Sequence, residues 1–264
     1  MKDIKEKISV IMPAFNEASR IALSIEETCR TMQDTGCPWE LIVVDDGSVD
    51  NTFEQASLAA PKYPGKVIVR KNPRNIGKGR ALRQAIRLVK GDYTVFLDAD
   101  LDLHPAQINT LFDIMRLDNA DVVIGSKMHP NSKVDYPWHR KLVSSVYYSL
   151  VKMLFGLPCR DTQTGLKLFK TEVLRRVFPR LLVKKFAFDI ELLVNIHHLG
   201  YKIADAPIVV SPQIKFGVVN PESIWVTLWD TLAVFYRMKI LKYYDRIHYY
   251  RRKNLAKEFR RMRR

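Results

Sequence analysis

Along most of this chain, short apolar runs rich in β-branched and aromatic residues alternate with longer segments whose apolar positions recur at helical spacing. Residues 8–13, 39–44, 67–70, 93–97 and 121–125 read as strands, the first ended by Pro13. A helix is predicted from about Asn16, Glu17 and Ser19 through Met32, with Ile21, Ile25 and Thr28 along one side. A second follows Asp50 and Thr52, which can cap it. A third opens at a glycine turn over 75–79, runs through Leu82, Ile86 and Val89, and closes at Gly91; a fourth covers about 105–116. Strands alternating with helices of about ten to fifteen residues form a mainly parallel sheet with helices on both faces, an α/β fold.

Beyond Gly125 the rhythm changes. Residues 126–138 read as a loop, 138–155 as a long helix, 161–165 as a polar turn, and 166–169 as a further strand. A helix over 188–199 ends at Gly200, and 201–210 returns to a strand. In 221–250, Ile224, Trp225, Leu228, Trp229, Leu232, Phe235 and Tyr236 fall at helical spacing, and Tyr243, Tyr244, Tyr249 and Tyr250 sit among Lys and Arg. Aromatic residues beside cations are what a helix lying at a lipid headgroup level uses. The pattern divides the chain into an α/β domain over 1–216 and an amphipathic, basic segment over 217–264. The most apolar stretches, 142–158 and 224–236, are interrupted by Lys152 and Asp230, so no membrane-spanning helix is expected. Residues 1–7 are charged and run straight into a strand, so no secretory leader is expected either.

The chemistry concentrates where strands stop. The run Tyr93-Thr94-Val95-Phe96-Leu97 ends in Asp98, Asp100 and Asp102, at alternate positions that share a side if the chain stays extended. A buried strand cannot carry such acids in its middle, which puts them at its C-terminal end, where open α/β sheets bind ligands. Asp45 and Asp46 close the second strand in the same way. Clustered carboxylates either lie solvated or are neutralised by a cation, and an all-oxygen set suits Mg²⁺ or Mn²⁺ better than zinc. Gly77-Lys78-Gly79-Arg80 at a helix start is either a plain turn with solvated cations or an anion site of main-chain amides and positive charge. Acids for a metal and a cationic turn for phosphates belong together if the ligand is a nucleotide diphosphate.

At 264 residues, 47% hydrophobic and 10% aromatic, the chain can bury one large core with an appendage, and is not disordered. Cys29, Cys37 and Cys159 are odd in number and lack metal-type spacing, as free thiols of a reducing compartment do. The net charge of +15 is uneven: from Arg237 onward, twelve Lys and Arg stand against Asp245 and Glu258. Such a tail points to an anionic partner, membrane or nucleic acid.

Several motifs in order settle more than any one of them. Val10-Ile11-Met12-Pro13-Ala14-Phe15-Asn16-Glu17, Val43-Val44-Asp45-Asp46-Gly47-Ser48, Asn75-Ile76-Gly77-Lys78-Gly79 and Leu97-Asp98-Ala99-Asp100-Leu101 closely resemble family-two glycosyltransferases with the GT-A fold. Asp161-Thr162-Gln163-Thr164-Gly165-Leu166-Lys167-Leu168-Phe169 and Phe188-Asp189-Ile190-Glu191-Leu192-Leu193 look like the dolichyl- or polyprenyl-phosphate sugar synthases within that family. The resemblance spans residues 8–210. It implies that Pro13, Phe15, Glu17, Asp45 and Asp46 belong to the nucleotide pocket, that Gly77 and Lys78 approach the diphosphate, and that Asp98 and Asp100 form the Asp-x-Asp metal motif. Asp102 stands where many relatives carry Gln, which changes the kind of metal contact it can offer, and Lys127 stands where relatives often have Arg. Arg140 and Ser144, one helical turn apart, match the family's acceptor-phosphate site together with Lys127, while Asp161 and Gln163 face the transferred sugar. Asp100, Arg140 and Asp161 are the residues expected to carry catalysis.

The implied partners are a GDP- or UDP-linked sugar, Mg²⁺ or Mn²⁺, a polyprenyl or dolichyl phosphate and an anionic membrane surface, with no nucleic acid. A lipid monophosphate has a second pKa near about 6, so at neutral pH it is already nucleophilic and needs no strong base. That suits a chain in which His104, His129 and His139 lie near the motifs and none stands out as catalytic. Single displacement predicts inversion at the anomeric carbon. The expected location is peripheral, on the cytoplasmic side of a membrane, by direct lipid contact or on a membrane-protein partner or second copy. Two other readings compete: a GT-A transferase acting on a growing glycan or glycolipid, and a basic module that binds nucleic acid through its tail.

Overall fold

A computed structural model describes residues 6–134, 138–183, 187–211 and 221–245. One sheet is built from β1 (Ile8–Ala14), β2 (Trp39–Asp45), β3 (Val67–Lys71), β4 (Tyr93–Phe96), β5 (Val122–Ser126), β6 (Lys167–Lys170) and β7 (Ile203–Pro207), in the order β3-β2-β1-β4-β6-β5-β7. β1 pairs in parallel with β2 and β4, β2 with β3, and β5 with β7. β6 runs antiparallel between β4 and β5. The mainly parallel α/β sheet is therefore as expected, and the one reversed strand is a feature that periodicity does not reveal.

Helices cover both faces: α1 (Ile21–Asp34), α2 (Thr52–Ala59), α3 (Lys78–Ala85), α4 (Ile108–Leu117), α5 (Trp138–Phe155), α6 (Thr171–Val177), α7 (Phe188–His198) and α8 (Pro221–Phe235). Successive strand residues point to opposite faces and thereby split the core in two. Val10, Met12, Leu41 and Val43 pack with Ile21, Ile25, Met32, Leu111 and Phe112 on one side. Ile11, Ile42 and Val44 pack with Leu82, Val151, Phe155, Leu192 and Val234 on the other. α3 stops at Ala85, short of the predicted Val89. The Arg87 and Leu88 amides donate to the Gln84 and Ala85 carbonyls, so the chain tightens out of the helix before Gly91, which lies hard against Lys7 and Ser9. α6 was not anticipated, and α4 begins only after a 3₁₀ turn over Pro105–Gln107.

The segment after α8 returns to the body of the protein. The fully buried Glu191 of α7 accepts the Tyr244 hydroxyl on Oε1 at 2.6 Å, and the Leu182 and Val183 amides on Oε2 at 2.8 Å each. Arg180 donates to the Tyr244 carbonyl at 3.2 Å. A buried carboxylate is tolerated only with such a set of donors, and this one ties the C-terminal helical segment to α7. The basic stretch 246–264 lies outside the described residues. Among the described residues, no helix is long and apolar enough to cross a membrane, and Cys29, Cys37 and Cys159 are buried and form no disulfide.

Candidate functional site

The chain runs β1, β2, β3 outward in one direction and then places β4 on the opposite side of β1. That reversal opens a crevice beyond the C-terminal ends of β1, β2 and β4, the position at which open α/β sheets take ligands. A cavity of about 780 Å³ lies there. Pro13, Phe15, Glu17, Asp46, Gly77, Lys78, Asp98, Asp100 and Gln163, all predicted from sequence, line it. Asn75, Asp189 and Thr227 join them without having been singled out.

Local chemistry builds each wall. Asp46 is buried, and its Oδ2 accepts the Gly77 amide at 2.7 Å and the Ile76 amide at 3.3 Å, while Oδ1 accepts from Asn72 at 2.6 Å. The acid thus shapes the glycine turn that leads into α3. Gly47, with φ of 74°, lets the two loops touch, since a Cβ there would lie 2.3 Å from the Arg74 carbonyl carbon. Glu17 is placed by its own amide, which donates to Thr52 Oγ1 at 2.8 Å.

Asp45 does not reach the cavity. It is fully buried beneath it, where Oδ1 accepts the Ser48 amide at 2.9 Å and the Ser48 hydroxyl. That oxygen holds the turn after β2, and Oδ2 is buried without a hydrogen-bond partner. The alternation of Asp98, Asp100 and Asp102 is also broken. β4 ends at Phe96 and Leu101 adopts a left-handed φ of 58°, so Asp102 leaves the cavity lining, and its amide donates to Asp100 Oδ1 at 3.0 Å.

Charge in the cavity is unbalanced toward the negative. Burial raises the Asp100 carboxyl above its ordinary range, and neighbouring Asp98 and Asp102 add to that against the Asp102 amide bond. Burial likewise raises Glu17, with Asp100 next in order. Lys78 donates to Asp98 Oδ1 at 2.6 Å; burial works against its charge, but Asp98, Asp189 and Asp100 outweigh that and keep it protonated. Among the described residues no three carboxylates or imidazoles converge into a closed metal cage. Asp98 and Asp100 nevertheless fit a divalent cation of the Mg²⁺ kind, which is held by one or two carboxylates together with substrate phosphates. The mutual repulsion that lifts Asp100 is what such a cation relieves.

A second cavity of about 240 Å³ adjoins the first, and Gln163 lines both. Lys127, Ser144 and Asp161 line the second, with Tyr147, Tyr148 and Arg160. Asp161 uses both carboxylate oxygens on main chain, Oδ2 for the Lys127 amide at 3.2 Å and Oδ1 for the Gln163 amide at 3.1 Å. Arg140 lies one turn before Ser144 on α5, and its side chain is outside the described residues. His104 and His129 line neither cavity. Their Nδ1 atoms accept the Ala106 and Asn131 amides, as loop-forming imidazoles do.

Asp205 of β7, a residue sequence reasoning passed over, holds the main chain at Arg160 of this second cavity. Its Oδ2 accepts the Arg160 amide at 2.9 Å and its Oδ1 is buried without a hydrogen-bond partner. Burial, reinforced by Asp161 and opposed by the Arg160 amide, pushes its carboxyl up to about 6. Between about pH 4 and 6 the folded protein keeps a proton that the unfolded chain has released, so this residue makes stability fall as pH rises through that window. Asp205→Asn keeps an acceptor for Arg160 and removes the charge. It raises stability at pH 7.5 by about 1–3 kcal/mol and leaves it unchanged at pH 4. Paired urea titrations at the two pH values measure this, and equal gains at both contradict it.

Comparison with known proteins agrees with this geometry. The model of the family described as glycosyl transferase family 2 matches residues 9–178. A dolichyl-phosphate beta-glucosyltransferase of Trichomonas vaginalis is 30% identical over 91% of this chain and 77% of its own length. One of Dictyostelium discoideum is 30% identical over 76% of this chain and 65% of its own, so the chain spans about two thirds of that relative. Among solved structures, mannosyl-3-phosphoglycerate synthase of Rubrobacter xylanophilus superposes with a TM-score of 0.67 at 16% identity, over 90% of this chain and 75% of that one. Glucosyl-3-phosphoglycerate synthase of Mycobacterium tuberculosis, in complex with Mn²⁺, uridine diphosphate and phosphoglyceric acid, gives 0.64 at 21%, over 88% and 78%. These likenesses bear out the GT-A type of fold. The matched region carries both acidic strand ends, the glycine turn and the loop bearing Gln163, and the chain accordingly belongs to glycosyl transferase family 2 and is a glycosyltransferase.

Proposed function

We propose that the protein transfers glucose from UDP-glucose to a polyprenyl or dolichyl phosphate at a membrane surface, with inversion. The observation that carries this reading is the pair of adjoining cavities joined at Gln163: an acidic one with a cationic turn, and a cationic one lined by Lys127, Arg160 and Ser144. The first suits a nucleotide diphosphate, with Pro13 and Phe15 on its apolar wall and the α3 start and Lys78 toward the phosphates. The names of the relatives support glucose and dolichyl phosphate, and the uridine diphosphate bound by the structural neighbour supports the base. Asp98 and Asp100 would hold a Mg²⁺ or Mn²⁺ ion, which supplies neutralisation of charge on the departing nucleotide diphosphate.

This chain's own residues do the positioning. Lys127, with Ser144 and Arg140 on α5, holds the acceptor phosphate, and Gln163 stands where the sugar crosses from one cavity to the other. Among the described residues that line the second cavity, the one carboxylate is Asp161, and both its oxygens serve main-chain amides. A phosphate dianion needs no general base. A transferase attacking through a sugar hydroxyl would, which disfavours a glycan acceptor.

The lipid reading rests on what α5 and α8 expose. Trp138, Leu142, Val146 and Met153 of α5 and Trp225, Val226, Trp229 and Leu232 of α8 stand in solvent, with Trp138 and Trp229 78% and 76% exposed. Ser144, Tyr147 and Tyr148 from α5 line the cationic cavity and Thr227 from α8 lines the acidic one. A bilayer bound by these two helices delivers a lipid phosphate directly to the site. Each basic residue of the C-terminal stretch that reaches an anionic surface adds about 1 kcal/mol.

Purified protein given Mn²⁺ or Mg²⁺, a panel of UDP- and GDP-sugars and a polyprenyl phosphate yields an organic-extractable glucolipid with UDP-glucose, and the product is the β-anomer. Transfer to a glycan acceptor and none to the lipid phosphate overturns the reading.

A further inference from the structure

The cationic cavity is assembled by two carboxylates that grip main chain and leave the neighbouring side chains to act. Asp161 holds the Lys127 amide, and Asp205 holds the Arg160 amide at 2.9 Å. Asp205 is delivered by β7, where it stands opposite Ile124 of β5, three residues before Lys127. One of its oxygens is buried without a partner, a cost that a fold keeps only where the other oxygen is needed. Among the described residues, neither Lys127 nor Arg160 has a carboxylate within ion-pair distance, although Asp161 and Asp205 are adjacent. Asp161 gives both oxygens and Asp205 one to main-chain amides, and two positive side chains line a cavity of about 240 Å³ together with Ser144 of α5.

We propose that Arg160 is a phosphate-binding residue of the acceptor cavity, which reads the acceptor's phosphate monoester through its planar guanidinium, and that Asp205 is the positioning residue that aims it. Lys127 is a point charge and can neutralise a phosphate without orienting it; a guanidinium offers paired donors matched to two phosphate oxygens. Orientation is what an in-line attack on the anomeric carbon requires. The inference rests on the acceptor reading above and adds to it the residue that fixes the phosphate's rotation. It predicts that recognition is of the phosphate monoester itself, whether on a long lipid or on a short soluble alkyl chain.

Arg160→Ala, Arg160→Lys, Asp205→Ala and Asp205→Asn are compared with the unmodified protein, using a polyprenyl phosphate in vesicles and a water-soluble short-chain alkyl phosphate. Binding of the alkyl phosphate by calorimetry is measured beside transfer. Arg160→Ala raises the KM for both phosphates by about 10–100-fold, as loss of one charge-assisted paired contact does, and leaves the KM for the nucleotide sugar unchanged. Arg160→Lys recovers part of the loss. Asp205→Ala raises the acceptor KM in the same direction, and Asp205→Asn, which still accepts the Arg160 amide, restores it; a merely structural role would move both kinetic constants for both substrates. An acceptor KM unmoved by Arg160→Ala in a protein that does transfer sugar overturns this inference alone. A rise confined to the vesicle-borne lipid assigns Arg160 to the membrane surface and also overturns it. Alkyl phosphate binding that depends on Arg160 in a protein that transfers nothing to phosphates upholds the inference and sinks the transferase reading. No binding and no transfer sinks both.

Discussion

Asp100→Ala lowers glycosyl transfer by at least about 10²–10³-fold, the scale on which a preorganised charge at a reacting centre acts. The same substitution leaves the melting temperature unchanged or raises it. The two halves have one cause. Asp100 is pressed among Asp98, Asp102 and Glu17, and burial together with those charges makes its ionised form unfavourable in the folded protein. A carboxyl whose folded-state pKa is raised subtracts from stability at neutral pH, so removing it relieves the fold. A chain keeps such an arrangement where the charge serves a ligand, here a divalent cation shared with the diphosphate. Product formation at saturating donor and metal, set beside a thermal melt without ligand, reads both effects. Near-normal turnover removes the role given to Asp100, and a drop in melting temperature of several degrees makes it a structural residue instead.

How far this site was legible depended on the range of the interactions that build it. Strands ending in acids, a glycine turn before a helix and a Gly at φ of 82° after α7 are local features, and local composition reveals them. Asp98, Asp100, Gly77 and Lys78 were found for that reason. What local composition does not reveal depended on a single dihedral or on a distant partner. Leu101 turns left-handed and takes Asp102 off the cavity lining while keeping it beside Asp100, although the alternate spacing is perfect. Asp45 and Asp46 are adjacent and alike in sequence, yet one faces the cavity and its neighbour the turn beneath it, because successive residues leave a strand in opposite directions. Lys167 carries no local sign of burial. β6 inserts antiparallel between β4 and β5, so Lys167 ends up buried, donating to Asp189 Oδ1 and to the Thr164 carbonyl at 2.6 Å each. Asp205 and Arg160 are 45 residues apart and meet only because β7 pairs with β5. No pattern along the chain announces such a pair.

Gly165→Ala lowers transfer by about 10²-fold with little change in melting temperature, the loss that a misplacement of about 1 Å at a reacting centre brings. The glycine lies in the loop that carries Asp161 and Gln163, and its backbone rests against the metal-motif acid. A Cβ built there falls 2.3 Å from Asp98 Oδ2, 2.6 Å from its Cγ and 2.9 Å from its Cβ. Its φ lies outside the left-handed region, so alanine meets no backbone strain and stiffens the unfolded chain, a gain of about 0.4–1 kcal/mol. The two shortest clashes fall on carboxylate atoms that are one third exposed and can swing aside, and the 2.9 Å approach to Asp98 Cβ asks the main chain to give only slightly, which limits the cost to the fold. Swinging aside breaks the 2.6 Å contact with Lys78 and withdraws Asp98 from Asp100. The variant therefore needs more Mn²⁺ or Mg²⁺ for half-maximal activity, while the acceptor KM, set in the neighbouring cavity, stays as it was. Gly47→Ala is the contrasting control, because its new Cβ meets the Arg74 and Asn75 main chain, which cannot move aside, at a φ of 74°. That substitution unfolds or severely destabilises the protein. If Gly165→Ala retains full activity at limiting metal, Asp98 does not hold the cation from the position found here, and the Asp-x-Asp motif loses its first member.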